Sequence, residues 1–278
     1  MYPILFKVGP ITAYSYGFFL ALAFAAATYI IWREGKKQGF QEEKLMDFSI
    51  ANLLAAVIGG RIYYAIINFH LFASDLRTIL YFWEGGFAFY GSAIAVALVS
   101  IFLLRRWRWS ILAIADIGAL AIMAATILAK IGSFLAGNDY GSLTRLPWGV
   151  VLVNLEGKRH PVQLYEALFT LILFIVLYRF YKKRLKEPST YRAGETFLYF
   201  LFWSSVGRFI FEFFRGDSTY LLGVKLGNIA SFLLAVLAGF SLYFYQFRDF
   251  SADRAKAGKY GFGLGRFRKR RNNEYRDF

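Results

Sequence analysis

The chain contains no cysteine. That excludes disulfides, thiol nucleophiles and thiolate-bound metals within the protein. Histidine is nearly absent too: His70 and His160 are the whole supply, too few for a histidine-rich metal site. Acidic residues are scarce, 18 against 33 Lys and Arg, giving a net charge of +15. Such a charge could point to nucleic acid. Its distribution points elsewhere, because the basic residues cluster between apolar runs.

Apolar side chains are abundant. They make up 58% of the 278 residues, with 31 Phe and 19 Tyr, and the mean hydropathy is +0.43. This excess and the aromatic enrichment suit lipid contact with interfacial anchoring. A spanning helix needs about 20 mostly apolar residues. Candidate spans are 11–32, 46–68, 86–104, 110–136, 162–181, 194–214 and 226–247. Gly85, Gly86 and Gly91 blur the start of the third. The first is read as a retained helix and not a secretory signal. Lys7 alone precedes it, while Arg33, Lys36 and Lys37 follow, the reverse of a signal's polarity.

The expected fold is therefore all-α: a polytopic membrane bundle of about seven transmembrane helices. Basic residues orient it. One side receives Arg33, Lys36, Lys37 and Lys44, then Arg105, Arg106 and Arg108, then Arg179, Lys182, Lys183, Arg184, Lys186 and Arg192, and finally the tail from Arg248 to Arg276. That puts the N-terminus outside and the C-terminus in the cytoplasm. Residues 1–250 read as one membrane domain and 251–278 as a basic, Gly-rich cytoplasmic tail. Arg266, Arg268, Lys269, Arg270 and Arg271 in that tail suit contact with anionic membrane lipids, with no nucleic acid partner expected.

Ionisable groups inside spans are costly and mark function or buried pairing. Six stand out: Arg61, Asp116, Lys130, Glu166, Arg208 and Glu212. Arg61, Lys130, Arg208 and nearby Arg215 sit toward the outer half of the membrane. Four cations exceed what Glu166 and Glu212 neutralise, and such a surplus suits a phosphate-bearing lipid headgroup. Arg208, Glu212 and Arg215 share one helix face. The plain alternative is a self-neutralised stripe that packs the bundle. Gly59-Gly60 beside Arg61 allows close helix approach. Residues Gly132 to Gly141 close the fourth span with Ser133, Asn138 and Asp139 among them. His160 and Pro161 open the fifth, where His160 reads as a cap, an interfacial contact or a base.

The ordered blocks Gly59-Gly60-Arg61-Ile62-Tyr63-Tyr64, Gly132 to Gly141, Arg159-His160-Pro161-Val162-Gln163-Leu164-Tyr165-Glu166 and Gly207-Arg208 through Arg215 resemble the prolipoprotein diacylglyceryl transferase family. The resemblance covers about residues 10–247. It implies transfer of the diacylglyceryl group of phosphatidylglycerol to the thiol of a prolipoprotein's lipobox cysteine, with release of glycerol phosphate. It implies a multi-pass protein of the bacterial cytoplasmic membrane that needs no cofactor. By the same resemblance Arg208, Lys130 and Tyr90 occupy catalytic positions, and Tyr16, Arg61, Ser133, Asn138, Gly141, His160, Glu212 and Arg215 substrate-binding ones. Four positions depart from the family pattern: Tyr90 stands for a histidine, Lys130 for an arginine, Ser133 for an asparagine and Asn138 for a glutamate. These departures motivate one alternative, a member that has lost catalysis and binds lipid or a membrane partner. The intramembrane charges motivate another, a small transporter or flippase.

Overall fold

A computed structural model describes residues 2–8, 11–73, 75–152, 155–187, 192–217, 220–221 and 224–247. The tail boundary expected at 250/251 lies outside the described residues. The elements in order are β1 (Ile4–Val8), β2 (Ile11–Tyr14), α1 (Ser15–Lys37), α2 (Glu42–Ile67), α3 (Phe69–Phe72), α4 (Phe89–Arg106), α5 (Ile111–Ala136), β3 (Val150–Val151), β4 (Lys158–Arg159), α6 (Val162–Lys186), α7 (Glu195–Glu212), β5 (Tyr220–Leu221), β6 (Val224–Lys225) and α8 (Leu226–Phe247). Each strand pair is a small antiparallel hairpin.

The polytopic helical bundle expected from composition is present, with three adjustments. Six described helices are long and apolar enough to cross a membrane: α1, α2, α4, α5, α6 and α8. The expected sixth span, α7, has only 18 residues and carries Glu195, Arg208 and Glu212. It packs against α5, α6 and α8 nonetheless. The third span starts at Phe89 and not at 86, because Gly85 and Gly86 both adopt positive φ that ends any helix there. Residues 11–14 of the first expected span form a strand paired with β1.

α5 is the central helix, touching α1, α4, α6 and α7. Its Ile114, Ile117, Leu120 and Met123 are buried against Leu45 and Phe48 of α2, Leu104 of α4 and Leu173, Leu177 and Tyr181 of α6. The outward faces stay apolar: Leu98, Phe102, Ile172, Val176 and Phe240 are largely exposed. An apolar exterior of this extent suits hydrocarbon, not water. α2 and α4 cross at Gly59 and Gly91, where a side chain on Gly59 would meet the Gly91 carbonyl at 2.7 Å. Small residues at a crossing let two backbones meet without lipid between them.

The basic loops gather at one end of the bundle. Glu34 of α1, 1% exposed, pairs with Lys37 at 2.8 Å and with Lys182 of α6 at 3.3 Å, and accepts from the Tyr178 hydroxyl at 3.2 Å. Arg184 of α6 meets Glu195 of α7 at 3.3 Å. Asp116 is fully buried near the start of α5. Its two carboxylate oxygens accept the Gly194 and Phe197 amides of α7, each at 2.8 Å. A carboxylate supplied by one helix thus caps the N-terminus of another. Asp116→Ala leaves those buried N–H groups unpaired, which costs about 1–3 kcal/mol. Thermal unfolding in detergent is expected to show a clearly lowered melting temperature, with Asp116→Asn intermediate. A melting temperature unchanged in Asp116→Ala would refute the capping role.

Candidate functional site

At the other end of the bundle, four elements converge on a network of charges. Lys130 leaves the last turns of α5, and its Nζ lies 2.5 Å from Glu166 Oε2 and 2.9 Å from Asp139 Oδ2. Glu166, near the start of α6, faces Arg208 Nη1 at 3.4 Å and Arg215 Nη1 at 3.7 Å. Arg208 of α7 also reaches Glu212 at 3.2 Å, one helical turn along. Arg215, just past α7, meets Asp217 at 2.7 Å, Asp139 at 3.4 Å and Glu212 at 3.9 Å. Lys225 donates to the backbone carbonyls of Glu212 and Arg215, each at 2.7 Å.

The surplus of cations expected from the sequence is corrected here. Asp139 and Asp217 join Glu166 and Glu212, so Lys130, Arg208 and Arg215 each already have carboxylate partners. Burial in low dielectric demands that pairing. Asp139 sits at a φ of +53°, the left-handed region that Asp tolerates better than most residues. Burial favours its neutral form, but Lys130 and Arg215 outweigh that and hold its carboxyl below the ordinary aspartate range. Burial likewise works against the Arg215 charge, and Asp217, Asp139 and Glu166 more than restore it.

A small extended patch builds this arrangement. The chain leaving α5 pairs with the chain leaving α7: Ser142 N–H donates to Phe214 O at 2.8 Å, and Gly216 N–H to Tyr140 O at 3.0 Å. On its other side His160 N–H donates to Ser142 O at 3.0 Å, and Thr144 N–H to Lys158 O at 2.8 Å. Gly141 lies in the middle, bridged to Arg215. A Cβ there would collide with the His160 carbonyl, so glycine lets three chain segments meet.

The expected site residues divide accordingly. Lys130, Ser133, Gly141, Glu212, Arg208 and Arg215 belong to the network or its frame, with Ser133 Oγ donating to Asp139 Oδ2 at 3.1 Å. Tyr16 of α1 lies within the field of Asp139 and Lys130. His160 stands beside the patch, its ring 5.3 Å from that of Phe214 and its Nδ1 3.4 Å from the Tyr165 hydroxyl, which accepts from Trp148 Nε1 at 2.8 Å. Asn138 stands outside the network: its side chain is exposed, and its carbonyl accepts from Gln163. The adjacent Asp139 is the residue of this loop that joins the network.

Arg61 lies apart as well. Its buried guanidinium donates to the carbonyls of Thr78 at 2.6 Å and Ile79 at 2.9 Å, and to Gly85. It fastens the loop between α3 and α4 and does not join the charged network. Tyr90, 60% exposed in the first turn of α4, has ring contact with Phe89 alone, and among the described residues no hydrogen bond or ion pair links it to the network. Asp217 and Lys225 escaped the sequence reading because they lie outside the spans where a charge draws notice.

Beneath the charges runs a cleft of about 170 Å³ between α5, α6 and α7. Lys130, Glu166 and Arg208 line one part of it; Phe169, Leu173, Phe200 and Phe211 line the rest with Thr126 and Ser204. A charged mouth over an aromatic and aliphatic floor accommodates an amphiphile with an anionic head. Among the described residues no group of acidic and histidine side chains is placed to hold a metal ion.

Comparison with known proteins agrees with the architecture. The family model described as prolipoprotein diacylglyceryl transferase matches residues 3–245. Among curated relatives, the phosphatidylglycerol–prolipoprotein diacylglyceryl transferases of Streptococcus pyogenes serotype M5 (strain Manfredo) and serotype M49 (strain NZ131) are each 30% identical over 241 residues. That alignment covers 84% of this chain and 92% of each relative.

The depressed titration of Asp139 yields a pH prediction. A carboxyl lowered on folding contributes stability above its unfolded pKa, and that contribution is lost as pH falls through the folded value. The melting temperature of the wild type is expected to exceed that of Asp139→Asn at neutral pH, with the gap closing below about pH 4. A gap independent of pH would sink the assignment.

Proposed function

The chain belongs to the prolipoprotein diacylglyceryl transferase family, and from that premise we propose that it transfers the diacylglyceryl group of phosphatidylglycerol to the cysteine thiol of a prolipoprotein lipobox. The observation that carries this reading is the cleft: cations at its mouth, hydrocarbon-like walls below. The lipid phosphate sits against Lys130 and Arg208, with Arg215 in support, and acyl chains descend along Phe169, Phe200 and Phe211. Lys130 offers charge where arginine would offer a planar fork, so it acts as a point-charge clamp.

In the reaction the substrate thiolate attacks glyceryl C3. The new S–C bond forms as the C–O bond to phosphate breaks, and glycerol phosphate leaves carrying the electron pair. The thiol proton passes to solvent or to the departing phosphate, whose second pKa near 6 makes it an acceptor. The protein's part is to orient the two reactants and to offset charge that grows on the leaving oxygen. Neither Tyr90 nor any cysteine of the chain is required in this scheme, since the nucleophile arrives with the substrate.

The reading extends to a multi-pass protein of the bacterial cytoplasmic membrane, N-terminus outside and the basic end of the bundle in the cytoplasm, as the clustering of basic loops at one end supports. The charged network then faces the outer side, where a prolipoprotein would present its cysteine. Family membership favours transfer over the binding-only and transport alternatives.

Purified protein in phosphatidylglycerol liposomes is expected to add a diacylglyceryl mass to a lipobox peptide. Arg208→Ala is expected to lower that rate by at least about a hundredfold, the loss typical of removing one donor from a developing anion. Near-normal turnover in Arg208→Ala, read by mass spectrometry, would overturn the role given to Arg208. An inactive but folded wild type would favour the non-catalytic alternative.

A further inference from the structure

The cations of the network, of which Lys130 lines the cleft, are not waiting empty. Besides Glu166, Asp139 bridges Lys130 and Arg215: it places Oδ2 2.9 Å from Lys130 Nζ and Oδ1 3.4 Å from Arg215 Nη2. One anion offering two oxygens to two separate cations is the arrangement that the two free oxygens of a phosphodiester adopt. The remaining network carboxylates differ in how firmly they are held. Glu166 and Glu212 project from helices, with side chains 9% and 3% exposed. Asp217 pairs with Arg215 alone among the network's cations. Asp139 lies on the loop after α5, and its side chain is 36% exposed.

Building on the functional reading above, we propose that Asp139 is a stand-in for phosphate, seated on Lys130 and Arg215 in the lipid-free protein and displaced when an anionic phosphate group enters. The exchange is between like charges, so the cations remain paired throughout. That matters where an uncompensated cation is expensive. The same exchange runs in reverse after the reaction. Once the lipid has been cleaved, glycerol phosphate is held by charge alone, with no acyl chains to anchor it. Asp139 then competes for its seat and speeds its departure. Asp139 is therefore a gating residue: it weakens the grip on substrate and product alike.

The sign of the effect separates this from a framework role. A residue that merely braces the loop would, when neutralised, leave phosphate affinity unchanged or lower. A competitor, when neutralised, leaves it higher. Asp139→Asn and Asp139→Ser are compared with wild type in nanodiscs of phosphatidylglycerol diluted into phosphatidylcholine, and separately with soluble glycerol phosphate, which distinguishes lipid headgroup from free phosphate. Both variants are expected to show a KM for phosphatidylglycerol lowered about three- to tenfold, matching the loss of a part-exposed ion pair. Inhibition by glycerol phosphate is expected to strengthen by a similar factor, with kcat reduced through slower release. Asp139→Glu, which keeps the carboxylate, is expected to return both constants toward wild type. A KM that is unchanged or raised in both neutral variants, while the wild type transfers normally, would overturn the gating role and leave the transferase reading intact. Direct binding of glycerol phosphate, followed by its thermal shift, is independent of turnover. Tighter binding in the neutral variants of a protein that transfers nothing would keep the gate and remove the transferase reading.

Discussion

A single carboxylate holds the charged centre together. Glu166 stands between Lys130 of α5, Arg208 of α7 and Arg215 beyond it. Three cations of like sign would repel one another strongly where solvent is scarce. The anion between them makes their convergence possible, and with it the meeting of three helices at one depth. The charges are therefore a packing device as well as a recognition surface. A ligand that binds there joins a network already in balance, and must replace a partner and not merely add to it.

The short extended patch matters for the same reason. It ties the exit of α5 to the exit of α7 through the backbone around Gly141 and Arg215. Side chains on long arms would otherwise wander. Backbone pairing fixes where Asp139 and Arg215 start, so the network inherits its precision from main-chain hydrogen bonds. Arg61 does related work in a separate place, gathering the carbonyls of Thr78 and Ile79 in the loop between α3 and α4.

The helices were legible in the sequence because lipid imposes a simple requirement of length and apolarity. Even α7, which trades hydrocarbon for three ionisable groups, was legible as the span 194–214, although those charges set it apart from the six most apolar helices. Lys130, Glu166, Arg208 and Glu212 were legible because a charge within an apolar run is conspicuous. Asp139 was legible as a polar residue closing the fourth span, but its pairing with Lys130 and Arg215 was not. Its importance arises from a left-handed backbone and from partners on other elements. The task of Arg61 was equally hidden, because its partners are carbonyls, which every residue has. Residues that act through side chains within a span could be read; those that act through tertiary backbone geometry could not.

The cap that Asp116 places on α7 has a mechanical side. It pins α5 to α7 at the end of the bundle opposite the charges. From Asp116 to Lys130 the helix runs about 21 Å, at 1.5 Å per residue. The helix is thus a lever arm with its fulcrum near the basic face. A change in tilt of about 5° swings Lys130 by roughly 2 Å over that length, enough to make or break an ion pair. Bilayer thickness acts on helix tilt. A bilayer whose thickness changed that tilt would change the spacing of the cations with it.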